Sequence, residues 1–506
     1  MAFDARSCQI NDRDESCLRH SIEGLFLQSP KASARYVLDQ RQVWWCRGLI
    51  AIGFVLTLLN PVAMLVIFLS SVSLFFVLAT VFRAVLVAMS AGRPTEEAPQ
   101  PIDPQYIYPC VTILLPLFDE ADSLPALIRA ISEINYPLDR LDVKLITEEE
   151  DLKTQRAITA IKLNPSFDHI IVPKSHPQTK PKACNFALHY ALGDLVVIYD
   201  AEDLPDRDQL LIAAQTFDRA DHTLACVQAR LNYYNATESW LTRLFTLEYS
   251  MWFDWLLPSL QALDAPIPLG GTSNVFRRKD LIEVGGWDPY NVTEDADLGL
   301  RLARAGKRTA LIGSTTYEEA NCQLKNWLRQ RSRWMKGYLQ TWLVHLRHGE
   351  TNARELGWRG DLTAHLFVAG TVFSALVSPL LWLICIATIF IDARLIDVLF
   401  PGPLKAINFA ALFLGNTLMI TLLAVAPIKR RQFHLIPWAL TAPAYWLLAS
   451  LAAYKGLWQL MTRPHYWEKT DHGLSRDAVA LQRDALKTMA GSTRYAFHGR
   501  NKSIRR

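Results

Sequence analysis

From Gly48 to Phe82 the chain carries no charged residue. As a helix rising ~1.5 Å per residue, that stretch would reach roughly 50 Å, against a hydrocarbon core of ~30 Å. Asn60-Pro61 supplies a break, so the expectation is a hairpin of two spans with Arg47 and Arg83 at its ends. One long, tilted and kinked helix is the alternative. Because basic residues mark the cytosolic side of a membrane, the N-terminal arm and everything after Arg83 are assigned to that side. No cleavable leader is expected, since a long polar-rich arm precedes the first apolar run.

Three more uncharged runs follow, Leu362 to Ile391, Ala406 to Ile428 and Gln432 to Tyr454. Each is about long enough to cross a bilayer, yet three crossings would leave the basic tail outside, and "KRR" at Lys429 to Arg431 also asks for the cytosol. Pro437 and Pro443 in the third run suggest a re-entrant or interface-lying segment instead. The expected organisation is an N-terminal arm over 1–45, a hairpin over 46–89 and a Pro-rich acidic linker over 90–109. A soluble block over 110–346, a C-terminal transmembrane region over 347–461 and a basic cytosolic tail over 462–506 complete it.

Composition agrees with two solvents: half of the 506 residues are apolar and 20% are charged. The net charge of +4 is small, and the basic residues gather near apolar runs, so no nucleic-acid partner is expected. The eight cysteines are scattered without a C-x-x-C pair, which suits neither a disulfide framework nor a zinc site and reads as reduced cytosolic thiols.

From Cys110 short apolar runs alternate with helix-like segments, the pattern of a parallel sheet with crossover helices. "CVTILLPL", "VKLI", "HIIV" and "LVVIY" read as strands, and Ser123–Ile134 and Pro181–Leu192 as helices. Such sheets bind ligands beyond the carboxyl ends of their strands, and two of those ends are acidic. "TEEED" follows "VKLI", and "DAED" at Asp200–Asp203 follows "LVVIY". No Gly-rich phosphate cradle accompanies them. Asp200 and Glu202, spaced i, i+2, suit Mg²⁺ or Mn²⁺, which take one or two carboxylates plus substrate phosphates. Alone, "DAED" also reads as a helix N-cap and first turn.

Downstream, "NVTEDADLGLRL" places Thr293, Glu294 and Asp295 ahead of an amphipathic helix, with Thr293 as its candidate cap. "QRSRWMKGYLQTW" puts Gln330, Arg333 and Trp334 on one helix face, able to stack a sugar and meet an anion, or to serve as an interfacial belt. "WLTRLFTLEYSMWFDWLLPSL" reads either as an interface-lying helix or as a buried core helix.

In this order the segments resemble the membrane-embedded family-2 glycosyltransferases, the group of cellulose, chitin and hyaluronan synthases. Their marks are an acidic pair, D-x-D, T-E-D and Q-x-x-R-W. "PLFDE" at Pro116–Glu120 resembles the family's P-x-x-N-E opening, and "KPKACN" at Lys180–Asn185 its K-A-x-N segment. The likeness covers roughly Cys110 to Leu346 plus the flanking spans. It implies a GT-A-like, Rossmann-related cytosolic α/β domain inserted between N- and C-terminal transmembrane helices, in a bacterial inner membrane.

The same resemblance implies roles. Asp200 and Glu202 would hold the diphosphate of a nucleotide-sugar donor, a UDP-sugar foremost, through Mg²⁺ or Mn²⁺. Lys182 and an acid of the "EEED" run, Glu148 or Glu149, would contact the donor. Asp295 would be the general base, and Glu294, Gln330, Arg333 and Trp334 would line the acceptor and diphosphate side. "GGTSNVFRR" at Gly270–Arg278 looks like the loop over the acceptor entrance, or else a simple turn. Two departures matter: "EEED" replaces an Asp-Asp pair, and Glu202 replaces the second Asp of D-x-D, so that Asp203 is an alternative ligand. "RPHYWEKTDHG" at Arg463–Gly473 reads first as a juxtamembrane aromatic anchor and only weakly resembles the pocket-closing F-x-V-T-x-K loop, in which Trp467, Thr470 and His472 would gate the donor.

The resulting expectation is a processive synthase extending a β-linked glycan at the cytosolic face and exporting it, with an accessory export or regulatory subunit as a conceivable partner. A non-processive transferase acting on a membrane lipid is the second reading, and a non-catalytic channel subunit the third.

Overall fold

The computed structural model describes residues 12–92, 106–348, 355–390, 397–398 and 400–485. Most of the acidic linker and the end of the basic tail lie outside the described residues.

Eight strands form one mixed sheet: β1 (Val111–Leu117), β2 (Leu141–Glu148), β3 (Phe167–Val172), β4 (Leu195–Ile198), β5 (Leu204–Pro205), β6 (Leu224–Tyr233), β7 (Asn274–Arg277) and β8 (Arg308–Glu318). Their order is β3-β2-β1-β4-β7-β6-β8-β5. The first four are parallel, as the alternation of strands and helices predicts. β7 runs antiparallel between β4 and β6, while β8 is parallel to β6 and closes on β5. β1 and β4 read as nearly continuous apolar runs because both of their faces are buried. Ile113, Leu115 and Val197 point into one core, and Leu114, Val196 and Ile198 into the other. The second of these cores packs the Lys180–Leu188 helix, so its first turn is fixed beside the end of β4.

The Trp240–Ser250 helix continues through a π-helical turn, Met251–Leu256, into Leu257–Ala262. Leu244, Phe245, Leu247, Leu257 and Leu260 are fully buried, so of the two sequence readings the core helix is the one realised. Asp254, on the π turn and 0% exposed, ties the domain to the membrane segments. Arg430 donates to it twice, at 2.6 and 2.9 Å, and Lys429 reaches its backbone carbonyl at 2.9 Å and Ser90 O at 2.8 Å.

By length and composition, four helices among the described residues are able to cross a membrane: Gln40–Leu59, Pro61–Ser90, Gly357–Leu383 and Phe433–Thr462; Gly415–Ile428 is shorter. Asn60 ends the first helix and caps the second, accepting from Ala63 N at 2.9 Å. Gln42 Nε2, near the start of the first, donates to Leu343 O at 2.7 Å, and Ser259 Oγ donates to Leu86 O at 2.5 Å near the end of the second. Both outer ends therefore rest on one domain, an arrangement a single rod of that length does not permit.

The last apolar run behaves differently. Residues Phe433–Thr441 form a 3₁₀ stretch containing Pro437, and Ala442–Thr462 then lies along the Leu324–Leu346 helix. Gly456 allows the approach, since a Cβ there would stand 2.8 Å from Ser332 O. Trp240 Nε1 holds Thr441 Oγ1 at 2.9 Å before this helix, and Lys336 Nζ holds Tyr466 O at 2.6 Å beyond it. Residues at both ends of this helix are thus bonded to the soluble domain.

Candidate active site

The strands place their carboxyl ends around one cleft of about 430 Å³. Glu120 follows β1, Glu148 ends β2, Asp200 and Glu202 follow β4, and Glu318 ends β8. The first turn of the Glu294–Arg304 helix brings in Glu294 and Asp295, and the Leu324–Leu346 helix adds Gln330, Arg333 and Trp334. Gly270, Gly271 and Thr272 of the "GGTSNVFRR" segment also line it, before β7 begins at Asn274. Residues separated by more than a hundred positions thus share one cavity.

Two of the donor-contact residues named from the sequence stand apart. Lys182 is fully buried behind the cleft wall, donating to Glu148 Oε2 at 2.8 Å and Ser175 Oγ at 3.2 Å. The cleft-facing lysine is Lys180, whose Nζ reaches Asp200 Oδ1 at 2.5 Å and Gly271 O at 2.8 Å. Two helical residues are about 200° apart, so only one lysine of "KPK" can face the ligand side. Glu149 is exposed and accepts from Lys174 N at 2.9 Å, leaving Glu148 as the cleft-lining member of the run.

Asp203 is likewise no substitute for Glu202. It is buried under the turn, where its Oδ2 accepts Asp200 N at 2.7 Å and the Thr272 hydroxyl, and burial raises its pKa. Glu202 instead faces His472, Nδ1 to Oε1 2.7 Å. Burial opposes the charge on both; the pairing nevertheless lowers the Glu202 pKa and raises that of His472 to about 9. His472 belongs to the segment that reads first as a membrane anchor. The structure corrects that reading: Trp467, Lys469, Thr470 and His472 fold over the cleft, and Lys469 Nζ donates to Phe118 O at 2.7 Å. The signal for this was the weak likeness to a pocket-closing loop.

Among the residues that line the cavity, eight carboxylates face Lys180, Arg331, Arg333, Lys469 and His472. Burial in this acidic surrounding raises Glu120 to about 7. Burial and the neighbouring Asp295 charge raise Glu294; burial also raises Asp295, against the Ala296 N–H at 2.8 Å and the Lys180 charge. Asp295 Oδ2 lies so near Gly271 that a Cβ there would stand 3.3 Å from it. Arg333 is held by its guanidinium 4.5 Å over the Trp467 ring, with Nε buried and without a partner among the described residues. Trp334 stacks on Tyr249 at 6.1 Å and 26°. Arg331, unassigned from the sequence, braces that platform by bonding Glu248 Oε1 at 3.0 Å and lying 4.9 Å over Trp334.

Among the described residues no group of three or more His, Cys, Asp or Glu forms a metal cage. Two hard carboxylate oxygens completed by substrate phosphates suffice for Mg²⁺ or Mn²⁺, and the carboxylate excess favours a cation. Asp200 and Glu202, each now neutralised by a basic side chain, fit that requirement.

The cleft lining also includes the aromatic side chains of Trp252, Phe253 and Tyr338, and Thr371 on the apolar helix Gly370–Phe390.

Residues 195–448, about half of the chain, match the family described as "Glycosyl transferase family group 2". A probable glucomannan 4-beta-mannosyltransferase 3 of Arabidopsis thaliana is 23% identical over 363 residues, covering 67% of this chain and 59% of that protein. A beta-monoglucosyldiacylglycerol synthase of Trichormus variabilis is 27% identical over 240 residues, covering 46% and 50%. The chain thus spans about half to three-fifths of the length of these curated relatives. Among solved structures, a mannosyltransferase from Pyrobaculum calidifontis, in complex with GDP-Man and Mn²⁺, aligns at TM-score 0.47 with 21% identity, covering 77% of this chain and 99% of that one. The chain belongs to glycosyl transferase family group 2, with a GT-A-like α/β domain flanked by apolar helices able to span a membrane.

Proposed function

We propose that this glycosyltransferase moves a sugar, with inversion, from a nucleotide-sugar donor to a growing β-linked polysaccharide at the cytosolic face of a bacterial inner membrane. Transfer is processive and coupled to export through its own spans. The observation that carries the reading is the meeting of Asp200, Glu202 and Asp295 in one cleft that is also lined by Trp252, Phe253, Tyr338 and, on an apolar helix able to span a membrane, Thr371.

Asp295 takes the proton of the acceptor hydroxyl as that oxygen bonds to the anomeric carbon, and the bond from that carbon to the diphosphate breaks. The nucleoside diphosphate leaves from the opposite face. Lys180 and Arg333 meet the negative charge that develops on it, and Trp334 with Tyr249 provides a stacking surface for the acceptor sugar. Bound by Asp200 and Glu202, Mg²⁺ or Mn²⁺ would neutralise the donor diphosphate. Gln330, whose Oε1 accepts from Asn321 Nδ2 at 2.9 Å, lines the same cleft.

A second acceptor class has its own support. The cleft wall reaches Thr371, and one relative is by name a beta-monoglucosyldiacylglycerol synthase, which favours a hydroxyl on a membrane lipid. Product size separates the two. Purified protein in lipid with Mg²⁺ or Mn²⁺ and a panel of nucleotide sugars should release a nucleoside diphosphate and build long glycan. A single sugar on lipid establishes the second reading, and no release from any donor refutes both.

A further inference from the structure

The Leu324–Leu346 helix continues beyond the cleft along the same face. Gln330, Arg333 and Trp334 line the cavity; Gly337, Gln340, Thr341 and His345 extend that stripe at helical spacing and grip residues 290–297. That segment carries Glu294 and Asp295. At Gly337 a Cβ would stand 2.5 Å from Thr293 Oγ1 and 2.8 Å from Thr293 Cβ, so the turn sits in a notch that glycine alone leaves open. Gln340, 0% exposed, uses both ends of its amide: Oε1 accepts from Val292 N at 3.3 Å, and Nε2 donates to Tyr290 O at 2.9 Å. Asn291 Nδ2 donates to Thr341 Oγ1 at 2.9 Å, and its Oδ1 accepts Thr293 N at 3.0 Å. His345 Nε2 meets Asp297 Oδ1 at 2.9 Å.

The Thr293 side chain makes no capping bond to the helix it precedes. Its hydroxyl approaches Asn291 Oδ1 and Thr341 Oγ1 instead, at 3.4 and 3.3 Å. The start of the Glu294–Arg304 helix is therefore set from outside.

We propose that Gln340 is a positioning residue for sugar transfer: by clamping Tyr290–Val292, it holds the Asp295 carboxylate in register with Arg333 and Trp334, which lie on its own helix. Base and acceptor platform then move as one body. This rests on the reading of Asp295 as the proton acceptor.

The test uses the full chain in lipid nanodiscs with two variants. Gln340→Met keeps length and apolar packing but removes both hydrogen bonds; Gln340→Ala removes both and the side chain. Amide hydrogen exchange over 290–296 should rise roughly tenfold in each, about the worth of one net hydrogen bond, with β1, β2 and β4 still protected. On the donor that the wild type turns over, kcat should fall roughly 10- to 100-fold, the effect of a base displaced by about an ångström, while nucleotide affinity is unchanged. Unchanged exchange over 290–296 in Gln340→Met, or a loosened segment with undiminished kcat, overturns the proposal. A structural role alone would lower folded yield and donor affinity together, which also overturns it. Absence of nucleoside diphosphate release by the wild type refutes the transfer reading instead, and the exchange result then still decides whether Gln340 holds the turn.

Discussion

Replacing Asp295 by Asn separates chemistry from structure. The amide keeps an oxygen for the Ala296 N–H now bonded at 2.8 Å, keeps the volume beside Gly271, and removes the proton acceptor. Loss of a positioned general base costs about 10²- to 10⁴-fold, or roughly 2.7–5.4 kcal/mol at ~1.36 kcal/mol per decade. The surroundings put this protein nearer the lower figure. Glu294 is adjacent, and its raised pKa owes part of its elevation to the Asp295 charge. Removing that charge lets Glu294 ionise more readily and act as a displaced base. The assay is nucleoside diphosphate release at saturating donor and acceptor, paired with donor titration of each variant. Donor affinity should be nearly unchanged. The pH profile supplies an independent check: because burial raises the Asp295 pKa, wild-type turnover should fall on acidification at a pH above the ordinary carboxylate range, and this limb should shift in the variant. A loss below tenfold, or an unaltered acid limb, refutes Asp295 as the base.

Asp200→Ala removes the carboxylate that Lys180 now neutralises and should abolish metal-dependent donor binding; undiminished metal dependence in calorimetric titration refutes that role. His472→Ala frees Glu202 from its 2.7 Å partner and should lower the divalent-cation concentration for half-maximal activity by about tenfold, equal to ~1.4 kcal/mol; an unchanged requirement removes Glu202 from the metal site. Arg430→Ala strips two hydrogen bonds from Asp254, which is 0% exposed, and should cost about 3–5 kcal/mol in thermal or denaturant unfolding in detergent. A change below about 1 kcal/mol would mean that Arg230, 3.4 Å away, suffices.

Some of the molecule is local enough to read from the chain. The uncharged run broken at Asn60 becomes two helices joined at that residue, because run length and a proline act within a few residues. The four parallel strands appear where apolar runs stand; β1 and β4, buried on both faces, are the plainest, while β3 is a partly exposed edge strand. The spacing of Gln330, Arg333 and Trp334 also survives folding, as a helix face is set by its own period.

Other features depend on distant contacts. Which lysine of "KPK" faces Asp200 follows from how the Lys180–Leu188 helix is rolled against the sheet, and no periodicity states that roll. The segment around His472 reads as an anchor because its aromatic content is local, while the carboxylate that claims it, Glu202, is far away in sequence. The last apolar helix has the length of a membrane span, and that it also packs along the Leu324–Leu346 helix follows from the close fit of Gly456 against Ser332 and Lys336.

By itself, then, the sequence determined that the chain carries runs long and apolar enough to span a membrane, that it builds a largely parallel sheet with acidic strand ends, and which residue types gather there. Hydropathy and helical or strand period are properties of neighbouring residues. The tertiary structure alone decided which acids face the cavity and which basic side chains pair with Asp200 and Glu202. Those outcomes follow from packing and charge pairing between residues that only folding brings together.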